Sequence, residues 1–127
     1  MMFRSSLATA AAFVAVACVT ASAIAADDAV DFTAVLDCVQ VPEEVELGKC
    51  SGVGVDGHGR IFLLHRGKRP VLCFDKSGRF LRSFGDDYIA VGHGLKVDRQ
   101  GNIWVTCTEH HMVYKFDADG KLLLALG

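Results

Sequence analysis

One feature constrains this chain more than any other: it repeats itself. Laid over residues 93–127 without gaps, residues 51–85 match at Gly52/Gly94, Val55/Val97, Asp56/Asp98, Gly59/Gly101 and Ile61/Ile103. The identities continue through Val71/Val113, Phe74/Phe116, Asp75/Asp117, Gly78/Gly120, Leu81/Leu123 and Gly85/Gly127. They fall on turn residues and on alternating apolar positions. A period of about 42 residues with that pattern is the mark of a four-stranded propeller blade, not of a helical solenoid.

Each unit parses into four short strands. In the first unit these are predicted at 52–56, 60–65, 71–74 and 80–84. The turns between the first and last pairs are Asp56-Gly57-His58-Gly59 and Asp75-Lys76-Ser77-Gly78. A leading Asp bonds its own turn amides, and a closing Gly accepts positive φ without a Cβ clash. The second unit repeats both turns at Asp98–Gly101 and Asp117–Gly120. Helical periodicity is absent after the first 26 residues, so the fold class is all-β. Ahead of the repeats, Phe32, Ala34, Leu36 and Cys38 alternate with other residues across 32–40, predicting a further strand.

Residues 1–25 read as an export leader: Arg4, an apolar run from Leu7 to Val19, then Ala23-Ile24-Ala25 before Asp27-Asp28. The expected location is secreted or periplasmic. Membrane attachment follows only if this segment stays uncleaved or if Cys18 is lipidated. The domain layout is thus a leader over 1–25, a segment over 26–50, and blades over 51–85 and 92–127. The net charge is −2, and the leader removes only the positive charge of Arg4. With no basic cluster beyond Arg66–Arg69, nucleic acid is not an expected partner. Cys38, Cys50, Cys73 and Cys107 remain in the mature chain without any CxxC spacing, which leaves zinc-finger chemistry unsupported. A Cys38–Cys50 disulfide and buried free thiols are equally compatible with that arrangement.

The motif V-D-x-x-G-x-I-(W/F)-(V/L), at Val55–Leu63 and Val97–Val105, resembles the NHL-repeat family of six-bladed propellers. Within it, Phe62–Gly67, Ser51-Gly52-Val53, Gly92–Leu95 and Asp98–Thr106 are similar to the peptidyl-α-hydroxyglycine α-amidating lyases. The resemblance implies cleavage of the C–N bond of a C-terminal α-hydroxyglycine, releasing a peptide amide and glyoxylate. It also implies a ring of six blades, about 250 residues, of which this chain would be the N-terminal portion. In that ring the strand expected over 32–40 would close the last blade.

The same resemblance assigns roles. His93 falls on one of three histidines that hold a catalytic zinc, and Arg66 on an arginine that engages the substrate carboxylate. Val53 and Leu95 fall on positions whose main-chain carbonyls hold a structural calcium. The substrate, a peptide or small molecule, would enter at the channel mouth. The other two zinc histidines, the tyrosine base and the calcium aspartate belong to later blades, so the chain alone is expected to be inactive. Cys107 stands where the family has an aspartate.

Position alone favours a water-bonded channel histidine at 93 over a metal ligand, and the resemblance shifts that balance. His110 and His111 are expected to be exposed loop residues, and His58 a turn residue. His65 either supports Arg66 or merely ends a strand. Phe62 and Trp104 occupy matching strand positions and are expected in the core. The competing function is a non-catalytic NHL-repeat binding module for protein or carbohydrate, in which Arg66, Lys68 and Arg69 form a rim for an anionic partner.

Overall fold

Eight strands follow one another in the order the repeat predicts: β1 (Cys50–Val55), β2 (Ile61–His65), β3 (Val71–Phe74), β4 (Phe80–Phe84), β5 (Gly92–Val97), β6 (Ile103–Cys107), β7 (Met112–Phe116) and β8 (Leu122–Leu126). They form two four-stranded antiparallel sheets, β1-β2-β3-β4 and β5-β6-β7-β8, each ordered as in the sequence. The structure is a computed structural model and describes residues 31–127. The leader and Cys18 lie outside the described residues. Everything below concerns the unit formed from Ala34 onward, in which no helix is long and apolar enough to cross a membrane.

All four Asp-x-x-Gly turns are built the same way. Asp56 Oδ1 accepts the amides of His58 and Arg60 at 2.9 Å. Asp75 Oδ1 accepts those of Ser77 at 2.9 Å and Arg79 at 3.1 Å. Asp98 serves Gln100 and Asn102, and Asp117 serves Asp119 and Lys121, every one at 2.9 Å. The closing glycines 59, 78, 101 and 120 have φ of 79°, 83°, 80° and 91°, a region that strains any residue with a Cβ. The side chain that follows each of the first three glycines also reaches back to the carboxylate, from Arg60, Arg79 or Asn102. Arg60 and Arg79 thereby neutralise their turns as well as lock them, while Asn102 locks its turn by hydrogen bonds alone.

The pleat sends alternate residues to opposite faces of each sheet. Phe62, Leu64, Val71 and Cys73 of the first sheet meet Ile103, Val105, Tyr114 and Phe116 of the second in one buried cluster. Phe84 and Phe116 stack with ring centroids 5.3 Å apart. The two innermost strands approach closely at glycines. A Cβ on Gly52 would stand 2.9 Å from the Leu95 nitrogen, and one on Gly54 would stand 2.8 Å from the Leu95 and Val97 side chains. On the other face of the first sheet, Leu72 and Phe74 bury Val45, with Val39 and Val41 packed alongside.

One expectation is corrected, at Trp104. Residues 34–40 make a single ladder contact among the described residues, a parallel bridge between Gln40 and Arg79, backed by the Gln40 amide donating to the Gly78 carbonyl at 2.8 Å. The last blade, which the strand expected over 32–40 would close, is not among the described residues. Val35 and Leu36 are exposed. Trp104 is only half-buried, because it lies on the face of the second sheet turned away from the first. Its indole N–H donates to Asp98 Oδ2 at 3.0 Å, and the Lys115 ammonium stands 4.8 Å from its ring centroid, a cation–π contact. Phe62, its counterpart, is fully buried as expected.

Candidate functional site

The candidate site lies where β2 ends and β5 begins. β2 delivers His65 into the interior and Arg66 into solvent. β5 opens with buried Gly92 and exposed His93. Gly92 can be buried only because it lacks a side chain: a Cβ there would stand 2.6 Å from Leu64 Cδ1. Its carbonyl is then left facing the mouth. It accepts from Ser51 Oγ at 2.9 Å and from Arg66 Nε at 3.4 Å. The guanidinium, so tethered, brings Nη2 to 3.5 Å from His93 Nδ1.

His65 is fully buried and uses both ring nitrogens. Nδ1 accepts the Gly48 amide at 3.0 Å, which leaves the proton on Nε2 to be donated to the Arg69 carbonyl, also at 3.0 Å. One neutral tautomer satisfies both bonds. The ring, at the end of β2, thus clamps the 66–69 loop to residue 48. The Arg66 amide adds a bond to the Lys49 carbonyl at 2.9 Å.

Cys107 takes the place of His65 in the second sheet. Burial raises its thiol, but the amides of Val91, His110, Ala90 and Glu109 surround it and bring it below the ordinary thiol value. It is buried and does not face the mouth, so it supplies no base there. Cys73, also buried, is pushed up by that burial against the pull of the Arg82 charge. All four cysteines in the described residues are free, with Cys38 and Cys50 exposed.

The remaining candidates separate. Val53 and Leu95 occupy equivalent places in β1 and β5, paired with Leu63 and Val105 respectively. His58 lies exposed in its turn, and His110 and His111 are exposed as expected. The His110 ring is held by the Tyr88 carbonyl, Nδ1 donating at 2.8 Å. Sequence reasoning missed Gly92 as a shared acceptor, a role no side-chain pattern advertises. It also missed Glu44 and Glu46, which with Gly48 and Arg66–Arg69 line a groove of about 500 Å³ beside Arg66.

Among the described residues no three His, Cys, Asp or Glu side chains come together as a metal site. His93 is the single imidazole at the mouth among the described residues. With Arg66 donating to Nδ1, the ring proton sits on Nε2. A histidine that ligates through Nε2 carries its proton on Nδ1 and donates it to an acceptor. The arginine therefore has to leave the ring before Nε2 can ligate. At 3.5 Å that hydrogen bond is at the weak end of the range, so little opposes the exchange.

No protein-family model matches the chain. The probable peptidyl-alpha-hydroxyglycine alpha-amidating lyase of Caenorhabditis elegans is 26% identical over 106 residues, covering 65% of this chain and 30% of the relative. Peptidyl-glycine alpha-amidating monooxygenase B of Xenopus laevis is 28% identical over 109 residues, covering 65% of this chain and 12% of its own length. Peptidyl-alpha-hydroxyglycine alpha-amidating lyase 1 of Drosophila melanogaster is 27% identical over 111 residues, covering 65% and 20%. The chain thus spans less than a third of these relatives. Among solved structures, a streptogramin B lyase matches with a TM-score of 0.55 at 18% identity, over 63% of this chain and 27% of that one, a likeness of fold alone. With its two four-stranded sheets, the chain is about two blades of a β-propeller of the type found in the peptidyl-α-hydroxyglycine α-amidating lyases, which it resembles in sequence.

Proposed function

We propose that this chain carries part of the site of an exported amidating lyase, with Arg66 and His93 as its contribution. The reaction converts a peptide ending in α-hydroxyglycine into the peptide amide and glyoxylate. The hydroxyl proton leaves, the carbonyl of glyoxylate forms, the C–N bond breaks, and the amide nitrogen takes a proton. The observation that carries this reading is the approach of Arg66 to His93 across two sheets, 3.5 Å between Nη2 and Nδ1.

Arg66 is exposed and has no ion pair among the described residues. Its planar fork suits a carboxylate held by two parallel hydrogen bonds. The α-hydroxyglycine carboxylate supplies that group, and taking it would draw Arg66 off His93. His93 is then one ligand of a zinc ion whose other ligands are not among the described residues. When bound, zinc would polarise the substrate's hydroxyl oxygen. Calcium held through the carbonyls of Val53 and Leu95 completes the proposed metal content.

The test is elemental analysis of the protein expressed from its complete reading frame, together with release of glyoxylate from a hydroxyglycine peptide. Stoichiometric zinc lost in His93→Ala supports the reading. A zinc-free protein without turnover moves the function to a binding module. That second reading is favoured by Arg66, Lys68 and Arg69, three exposed cations on one loop, and it places an anionic partner there.

A further inference from the structure

The groove beside Arg66 has two walls of opposite charge. On one side, a turn over 42–45, closed by the Val45 amide donating to the Pro42 carbonyl at 2.9 Å, buries Val45 and leaves Glu44 and Glu46 exposed on either side of it. On the other side stands the loop carrying Arg66, Lys68 and Arg69. The walls meet at glycines. A Cβ on Gly48 would stand 2.5 Å from the Arg66 carbonyl oxygen, and one on Gly67 would stand 3.2 Å from the Glu46 carbonyl oxygen. A second hollow of about 400 Å³ continues from Gly67, Lys68 and Arg69 toward Asp86 and Ile89. The first hollow alone, about 500 Å³, lies in the range that holds a ligand of a few residues.

Neither glutamate has an ion pair among the described residues, although three cations line the same groove. Both carboxylates are therefore open to a cationic group of a ligand. The terminal carboxylate of the proposed substrate is taken by Arg66, and Glu44 and Glu46, on the wall opposite Lys68 and Arg69, are the groups left to pair with a basic side chain of the peptide ahead of it.

We propose that this groove binds the peptide chain leading into the Arg66–His93 mouth, and that Glu44 and Glu46 select peptides with a lysine or arginine shortly before their C-terminus. The inference rests on the lyase reading for its direction along the groove, and its test does not need turnover. Fluorescence anisotropy on the protein from its complete reading frame would compare labelled peptides that end in an unreactive glycine carboxylate. Lysine, alanine or glutamate would stand at each of the four preceding positions in turn. The expected result is a lysine peptide binding about three- to tenfold tighter than its alanine counterpart, the yield of one or two solvent-exposed charge pairs. The preference is expected to shrink at 0.5 M salt, about where screening shortens to a few ångströms.

Glu44→Gln with Glu46→Gln is expected to bring the ratio near unity. Both side chains are exposed, so the double variant keeps its fold, checked by its thermal midpoint. Equal binding of the lysine and alanine peptides, or a preference that survives the double variant, overturns the proposal. Glyoxylate release, measured separately, judges the lyase reading. A lysine preference without glyoxylate release leaves the groove standing as a basic-peptide site and removes the chemistry.

Discussion

Arg66 and His93 lie on different sheets, yet Nη2 of one stands 3.5 Å from Nδ1 of the other. The carbonyl of Gly92, one residue before the histidine, is what holds the arginine there. Gly92 is fixed in turn against Leu64, a fully buried residue of the inter-sheet core. The site is therefore keyed directly to the packing that joins the two blades.

In the complete protein, His93→Ala is expected to lose zinc and turnover together. Arg66→Ala is expected to retain zinc, because removing the guanidinium frees the His93 ring. Its kcat/KM should fall about 100-fold, the cost of charge-assisted bonds to a carboxylate. Arg66→Lys should recover little of that loss, since an ammonium cannot present a planar fork. Zinc retained in His93→Ala would remove it from the ligand set.

His65 should matter to stability before it matters to rate. His65→Leu leaves the part-buried Gly48 amide and Arg69 carbonyl without this partner, at a cost of about 1–3 kcal/mol. Urea unfolding would measure it. A supporting role for Arg66 adds that, in the folded variant, KM rises while zinc content holds.

Acid should loosen the turns in a defined window. The Ser77 hydroxyl, together with Arg79, pushes the Asp75 carboxyl down to about 2 from an ordinary 3.8. Asp98 is lowered further, first by the Trp104 indole N–H and then by Asn102. Both folded values lie below the unfolded one, so their stabilisation is complete above about pH 5 and is lost as pH falls through the folded values. The urea midpoint is expected to drop steadily from pH 5 toward pH 2. Asp98→Asn should be less stable at pH 7 and show a shallower decline; an unchanged slope would show that the Asp98 bonds do not govern it.

Thiol accessibility offers a direct check on the core. In the folded protein, Cys38 and Cys50 should react within seconds with an aromatic disulfide reagent. Cys73 and Cys107 should wait for unfolding, despite the lowered thiol of Cys107, because burial denies the reagent access. Rapid labelling of Cys107 would mean that β6 opens locally.

Much of the fold was legible because its signals are local. An Asp, a Gly three residues on and alternating apolar residues between turns specify each hairpin, and each predicted strand of the first blade matches the observed one to within two residues. What the sequence withheld depends on neighbours. Trp104 and Phe62 share a strand position, yet one faces the partner sheet and the other faces away. The alternation over 32–40 has the right period, but among the described residues only Gln40 bridges to the first sheet. Arg66 and His93 could each be picked out by resemblance, whereas their contact, and the part Gly92 plays in it, required both sheets in place. His65 was ambiguous because a clamp made to main-chain atoms leaves no partner side chain to find.

The loops after β2 and β6 share no residue between His65–Pro70 and Cys107–Met112. Their backbones nevertheless follow one path. Arg69 and His111, at equivalent places, both turn left-handed with φ of 58° and 54°. Arg66 and Thr108 donate their amides to the equivalent carbonyls of Lys49 and Val91 at 2.9 and 3.0 Å. The sheet ends act as a socket of fixed shape, and the side chains are interchangeable fittings. A new chemistry can then be installed in one blade by exchanging six residues, with its neighbour keeping its own.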